Sequence, residues 1–383
     1  MQSTLHYLEK LIAFPTVSRD SNLDLIGFIA EELKGLGITS TLIHNEDGKK
    51  ANLWATIGPA NAPGVALSGH TDVVPVEGQN WSSNPFKLTA RNGKLLGRGS
   101  ADMKGFIASC LHLAHNAVKR KLHTPLHFAF SYEEEIGCIG VRRMLDMLKT
   151  MPMRPRLCIV GEPTMLQVVT AHKGKLGYRV IAHGLEAHSS LAPIGANAIY
   201  MACDLIAEIR QLQEDIAAHG PRDGDYEVAY TTLHVGKIVG GEVMNIVPNR
   251  TSFDFEIRYL PEVDGPALFA RIQTAAEKVA TKFRNVFPQA RYEFVNLQSY
   301  PALNTPVDSD AVNFVCALTG GNSTGKITFG TEGGLFQQEL GIPAVVCGPG
   351  NIAVAHKPDE YVSQEQMTQC DAMLLRLLDR LSN

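Results

Sequence analysis

The stretch GVALSGHTDVV (64–74) decides the fold. Val65, Ala66 and Leu67 form an apolar run without polar alternation, and the run ends on His70 and Asp72. Such a run reads as a strand buried on both faces, as a parallel sheet requires. Three further segments repeat the arrangement. LHFAFSY (126–132) runs into Glu133-Glu134-Glu135, RLCIVG (156–161) into Glu162-Pro163, and IPAVVCGPG (342–350) leads on to His356. LWATIG (53–58) is another short apolar run, and helix-like stretches at 104–119 and 141–148 fall between the strands. The pattern predicts an α/β fold with a mixed, mostly parallel sheet covered by helices.

The middle of the chain differs. LGYRVIAHG (176–184), TTLHVGKIVGG (231–241) and RTSFDFEIRYL (250–260) alternate, and helical patterns cover about 196–214 and 265–283. With ARYEFV (290–295) the order is β-α-β-β-α-β, the ferredoxin-like pattern. EDIAAHGPRDGDYE (214–227) reads as a polar loop. The division expected is a discontinuous α/β domain over 1–174 and 298–383, interrupted by an α+β insert at 175–297. A closing helix spans 364–381.

Composition limits the function. The 383 residues hold 35 Lys+Arg against 39 Asp+Glu, a formal charge of −4, so no basic surface invites nucleic acid. No apolar run is long enough to span a membrane. Glu9 and Lys10 interrupt the N-terminal apolar pattern where a signal peptide needs continuity. Leu5, Leu8, Leu11 and Ile12 there have the spacing of one helix face. The seven cysteines are scattered without a C-x-x-C pair. They read as free, mostly buried thiols of a cytoplasmic protein.

In an open parallel sheet, ligands bind outside the carboxyl ends of the strands. His70, Glu135, Glu162 and His356 converge there, with Asp102 from the glycine-rich loop GRGSADMKG (97–105). Nitrogen and carboxylate donors without thiolate suit Zn²⁺, with Co²⁺ or Mn²⁺ feasible. A carboxylate can bridge two ions. Asp102 suits that role, with His70 and Glu162 completing one metal and Glu135 and His356 the other. Asp72 can orient His70, and Glu134 is left free as general base. Taken singly, the three glutamates also read as a solvated helix start.

SGHTDVVP (68–75), GRGSADMKG (97–105), SYEEEIG (131–137), GEPT (161–164) and GPGNIAVAHKPDEY (348–361) resemble the di-zinc aminoacylase-like metallohydrolases. That family holds acetylornithine deacetylases, succinyl-diaminopimelate desuccinylases, carboxypeptidases and aminoacylases. The resemblance covers essentially the whole chain. It implies a zinc-exopeptidase-like catalytic domain and the metal roles given above. It further implies Glu134 as catalytic acid/base, Asp72 as orienter, and a small N-acyl amino acid as substrate. Glu133 stands where the family usually has Asp. GLEAHSS (184–190) and GGEVMNIVPNRTSFDFEIR (240–258) match the family's inserted lid, often a homodimer surface. His188 there resembles an oxyanion-stabilising histidine, and Asn245 and Arg258 resemble substrate contacts. Two plainer readings stand beside these. His188 can cap the next helix, and Arg258 can pair with Glu256 or Asp254. GTEGG (330–334) resembles the acetylornithine branch, with Glu332 and Gly333 as substrate contacts and a carboxylate suited to an amine-bearing substrate. A desuccinylase or small-peptide carboxypeptidase is the alternative, and an inactive metal- or peptide-binding protein a remote one.

Overall fold

The computed structural model of the chain describes residues 3–383. They fall into two compact units. One holds the residues up to Ala171, Leu303–Lys326 and Thr331–Asn383; the other holds His172–Ala302 and Ile327–Gly330.

A sheet of nine strands organises the first unit. Its order is Ser40–His44, Ala51–Ile57, Leu126–Ser131, Val65–His70, Leu157–Pro163, Ala344–Gly348, Val168–His172 and Leu303–Asn304, with Thr324–Ile327 paired to Val168–His172. The strands Leu126–Ser131, Val65–His70, Leu157–Pro163 and Ala344–Gly348 run parallel to one another. Every residue in them is buried, which explains their unbroken apolar sequence. On one face Leu67, Phe128, Phe130, Ile159 and Val345 join a core with the helices Thr4–Ile12, Leu23–Gly35, Lys104–Ala117, Asp310–Thr319 and Gln364–Ser382. Each such side chain contributes about 1.5–3 kcal/mol on burial. The helices Val141–Thr150 and Gly333–Leu340 pack against each other elsewhere on the sheet. In the first helix Leu8, Leu11 and Ile12 are buried, but Leu5 is exposed and Tyr7 takes its place in the core. Gly161 closes its strand against Phe106, whose ring lies only 2.0 Å from where a Cβ would stand, so no larger residue fits ahead of Glu162.

The second unit is an antiparallel sheet in the order Thr232–Gly240, Arg250–Tyr259, Gly174–His183, Arg291–Tyr300. Together with the helices Ala198–His219 and Gly265–Phe283 it has the ferredoxin-like chain order. Strand Arg250–Tyr259 alternates as expected, with Phe253, Phe255 and Ile257 facing Leu205, Ile209 and Ile216 of the first helix. That helix corrects the sequence expectation of a loop from 214. It runs to His219 because Ile216 packs into this core, and it ends at Gly220.

No helix among the described residues is long and apolar enough to cross a membrane. Among the cysteines, Cys110, Cys138, Cys158, Cys347 and Cys370 are buried, Cys316 is half-buried and Cys203 is exposed; all are free.

One buried histidine gives a pH test of the fold. His127 stacks on Trp54 at 4.9 Å and shares a 2.9 Å hydrogen bond with Thr56. Burial lowers its pKa to about 4. A folded pKa below the unfolded value of about 6.5 means the unfolded chain takes up the proton first as pH falls. Stability from this site is therefore complete above about pH 6.5 and is lost as pH drops toward 4, by about 3 kcal/mol. Urea unfolding across this range is expected to show that loss in the wild type and a smaller one in His127→Gln.

Candidate metal centre

The parallel strands deliver the donors. His70 is the last residue of Val65–His70, and Glu162 lies within Leu157–Pro163. Glu134 and Glu135 follow Leu126–Ser131 in a turn, not in a helix, so the reading of this acidic run as a solvated helix start does not describe the fold. Asp102 precedes the helix Lys104–Ala117, and His356 lies beyond Ala344–Gly348.

These side chains form two groups that share Asp102. His70, Asp102 and Glu162 make one; Asp102, Glu135 and His356 make the other, each with its ligand atoms within 4.8 Å of one another. The two Asp102 oxygens point to different groups. Oδ1 is 2.9 Å from His70 Nε2, and Oδ2 is 3.1 Å from His356 Nε2. Glu162 Oε1 stands 3.7 Å from His70 Nε2, and Glu135 Oε2 stands 3.0 Å from His356 Nε2. His70, Asp102 and Glu162 are buried, whereas the His356 side chain is 51% exposed.

The donor set fits divalent cations. His70 Nδ1 lies 2.9 Å from the main-chain carbonyl of Asp72. A carbonyl only accepts, so Nδ1 carries the proton and Nε2 offers a lone pair to the Asp102 carboxylate. Two acceptors at that distance need a second proton or a cation between them. Glu135 Oε1 is buried with no hydrogen-bond partner among the described residues. The charges agree. Burial, reinforced by neighbouring carboxylates, drives Glu134 and Glu162 well above the usual carboxylate range. Burial and the nearby Asp102 raise Glu135 to about 7. Hydrogen bonds to Asp102 and Glu135 push His356 to about 10. Crowded buried carboxylates of this kind are relieved by bound cations.

Asp72 differs in detail from the expectation. Its carboxylate is 3.6 Å from His70 Nδ1, while its own carbonyl makes the closer contact. The carboxylate instead accepts from Glu134 N at 3.1 Å, Glu135 N at 3.4 Å and Ser18 Oγ at 2.7 Å. Burial works against its ionised form, but His70, Ser18 and the Glu134 amide hold it below the usual range. Asp72 thus braces the turn that presents Glu134. Glu133 pairs with Lys50 at 2.5 Å on the same turn. Cys138 donates its thiol to Glu134 Oε1 at 3.3 Å. Ser18 and Lys50 carry no local sequence signal, because each acts across a long chain separation.

Glu332 and Gly333 are buried. Glu332 is 1% exposed, accepts from Ser68 Oγ at 3.0 Å, and is raised to about 7 by burial. Gly333 opens its helix and donates its N–H to Thr331 Oγ1.

His188, Asn245 and Arg258 belong to the second unit. His188 is exposed and caps the short helix Ser189–Ile194, its Nδ1 accepting from Ser190 N at 3.2 Å. The same nitrogen lies 2.7 Å from Ser190 Oγ, so Nε2 is the ring atom left over. The Asn245 carbonyl accepts from Ser189 N at 2.9 Å, and His188 bridges to Ile246, which brings His188 and Asn245 together. Arg258 is engaged with Glu256 at 3.1 Å and with the Tyr300 hydroxyl at 2.6 Å, while Asp254 pairs with Arg179.

Known proteins resemble the chain along nearly its whole length. An acetylornithine deacetylase of Myxococcus xanthus is 32% identical over 374 residues, covering 96% of this chain and 95% of its own. One from Shigella sonnei is 33% identical over 377 residues, with the same coverage. A solved M20 family metallo-carboxypeptidase from Sulfolobus solfataricus superposes with a TM-score of 0.79 at 21% identity, over 100% of this chain and 99% of its own, and shares the fold. Residues 66–380 match the model of peptidase family M20/M25/M40. The chain therefore belongs to peptidase family M20/M25/M40, a family of metallohydrolases.

Proposed function

We propose that the chain hydrolyses N2-acetyl-L-ornithine to L-ornithine and acetate, as an amide hydrolase using two divalent cations, Zn²⁺ in the first instance. The observation behind the chemistry is Asp102, with one oxygen directed to His70 and the other to His356. The names of the relatives at 32% and 33% identity support the choice of substrate.

His70, Asp102 and Glu162 would hold one cation and Asp102, Glu135 and His356 the other. When bound, such ions supply Lewis acidity toward the amide carbonyl and lower the pKa of water. Glu134 removes a proton from the attacking water, and its buried setting, braced by Asp72, suits a group that holds and returns a proton. It then delivers that proton to the leaving amine as the C–N bond breaks. His188 is assigned to the developing oxyanion through Nε2, the ring nitrogen that Ser190 leaves available. Asn245 and Arg258 are assigned to the substrate's carboxylate. Arg258 would have to exchange Glu256 for it, a swap its bidentate guanidinium allows. Glu332 and Gly333 are assigned to the substrate's amine end. A homodimer through the inserted unit is part of this reading, supported by exposed Ile238 and Val239 on the edge strand Thr232–Gly240. So is a cytoplasmic location.

A substrate panel tests the proposal. The zinc-loaded protein is expected to show its highest kcat/KM on N2-acetyl-L-ornithine. Higher values on N-succinyl-diaminopimelate or on dipeptides would move the chain to another activity on the same scaffold.

A further inference from the structure

We infer that Gln79 and the buried pair Arg98 and Glu360 form a strut that sets Asp102 and His356 at the spacing their shared cation needs, an inference that rests on the two-cation reading above. None of the three is in either ligand group; they are positioning residues.

A short sheet builds the strut. Lys94–Leu96 pairs antiparallel with Tyr361–Ser363, Leu96 opposite Tyr361, and Gly97 N donates to Glu360 O at 2.9 Å. That register brings Arg98 and Glu360 side by side. Both are buried, at 1% and 0% exposure, and Arg98 Nη1 donates to Glu360 Oε2 at 2.5 Å. A lone charge there would be costly, so each ion holds the other in place.

One further atom of each partner leads to a ligand segment. Glu360 Oε1 accepts from Ala101 N at 3.0 Å and from Asp102 N at 3.1 Å, which fixes the main chain beneath the Asp102 carboxylate. Arg98 Nη2 donates to Gln79 Oε1 at 2.6 Å, and Gln79 Nε2 donates to the His356 carbonyl at 2.8 Å. Hydrogen bonds thus run from the Asp102 amide through Glu360, Arg98 and Gln79 to the His356 carbonyl. The Trp81 ring lies 5.0 Å from the guanidinium and limits its movement. His356 needs such support. Its φ is +61°, a left-handed conformation uncommon outside glycine, and its half-exposed side chain has little packing to hold it.

Outer hydrogen bonds of this kind typically change metal affinity about 10–100-fold when removed. Co²⁺ titration of the metal-free protein, followed by visible absorption and calorimetry, reads the binding steps separately. Gln79→Ala is expected to weaken one step about 10–100-fold and to move the other less. Gln79→Glu keeps an acceptor for Arg98 but has no donor for the His356 carbonyl, so it should bind the affected ion as weakly as Gln79→Ala. Glu360→Gln loosens the main chain of Asp102, which both groups share, and should weaken both steps. If Gln79→Ala and Gln79→Glu are folded by circular dichroism and bind both ions like wild type, the strut is overturned, whatever the fate of Glu360→Gln. A wild-type chain that takes up only one Co²⁺ would overturn the two-cation reading itself, and the strut with it.

Discussion

Replacing Glu134 by glutamine is expected to lower kcat about 10²–10⁴-fold, the range for loss of a general acid/base. The substitution keeps the size of the side chain and changes neither ligand group. Glu134 follows the parallel strand Leu126–Ser131 in a turn braced from Asp72 through the amides of Glu134 and Glu135. Glutamine at this place can still accept from the Cys138 thiol but cannot take up a proton from water. Metal content is therefore expected to stay at the wild-type level while turnover collapses. Steady-state kinetics beside metal analysis of the same preparation checks this. Near-wild-type turnover with both ions bound would remove Glu134 from the chemistry.

Asp102→Ala should have the larger effect. Most ligand substitutions would take one donor from one ion, but this one takes a donor from both. It also removes the acceptor that His70 and His356 each face. Ion binding at both groups is expected to weaken together, and activity should fall at least as far as in Glu134→Gln. The contrast with His356→Ala is informative, because that variant removes a donor from one group alone. Parallel metal titrations of the two variants check it: equal losses in both would argue against a shared carboxylate.

Much of this was legible in the sequence, and for identifiable reasons. Parallel strands are buried on both sides, so GVALSG, LHFAFSY, RLCIVG and AVVCG stand out as apolar runs, and polar residues at their ends stand out in turn. His70, Glu134, Glu135, Glu162 and His356 are among the polar residues that follow those runs. The alternating strand Arg250–Tyr259 was equally clear, since one face of it meets helices. Less was visible where partners are remote or segments short. The pairing of Lys94–Leu96 with Tyr361–Ser363 joins segments of 3 residues each across most of the chain. Neither is long enough to show a period. Arg98 and Glu360 lie within quoted motifs, yet their burial as a pair comes only from that pairing. The extension of the helix to His219 is hard to read because Ile216 is the one buried residue of its last turn, after Glu214 and Asp215 and shortly before His219 and Gly220. The position of Asp72 two residues after His70 points to a contact with that ring, but the groups its oxygens accept from depend on how the turn at 133–135 folds back.

The central claim is that this chain holds two divalent ions around one shared aspartate. Its most direct test is the metal stoichiometry of the purified wild-type chain, stripped with a chelator, reloaded with Zn²⁺ and measured by elemental mass spectrometry against protein concentration. Two ions per chain, with hydrolytic activity lost on stripping and restored on reloading, is the result expected. One ion per chain, or activity that survives complete removal of metal, would contradict it.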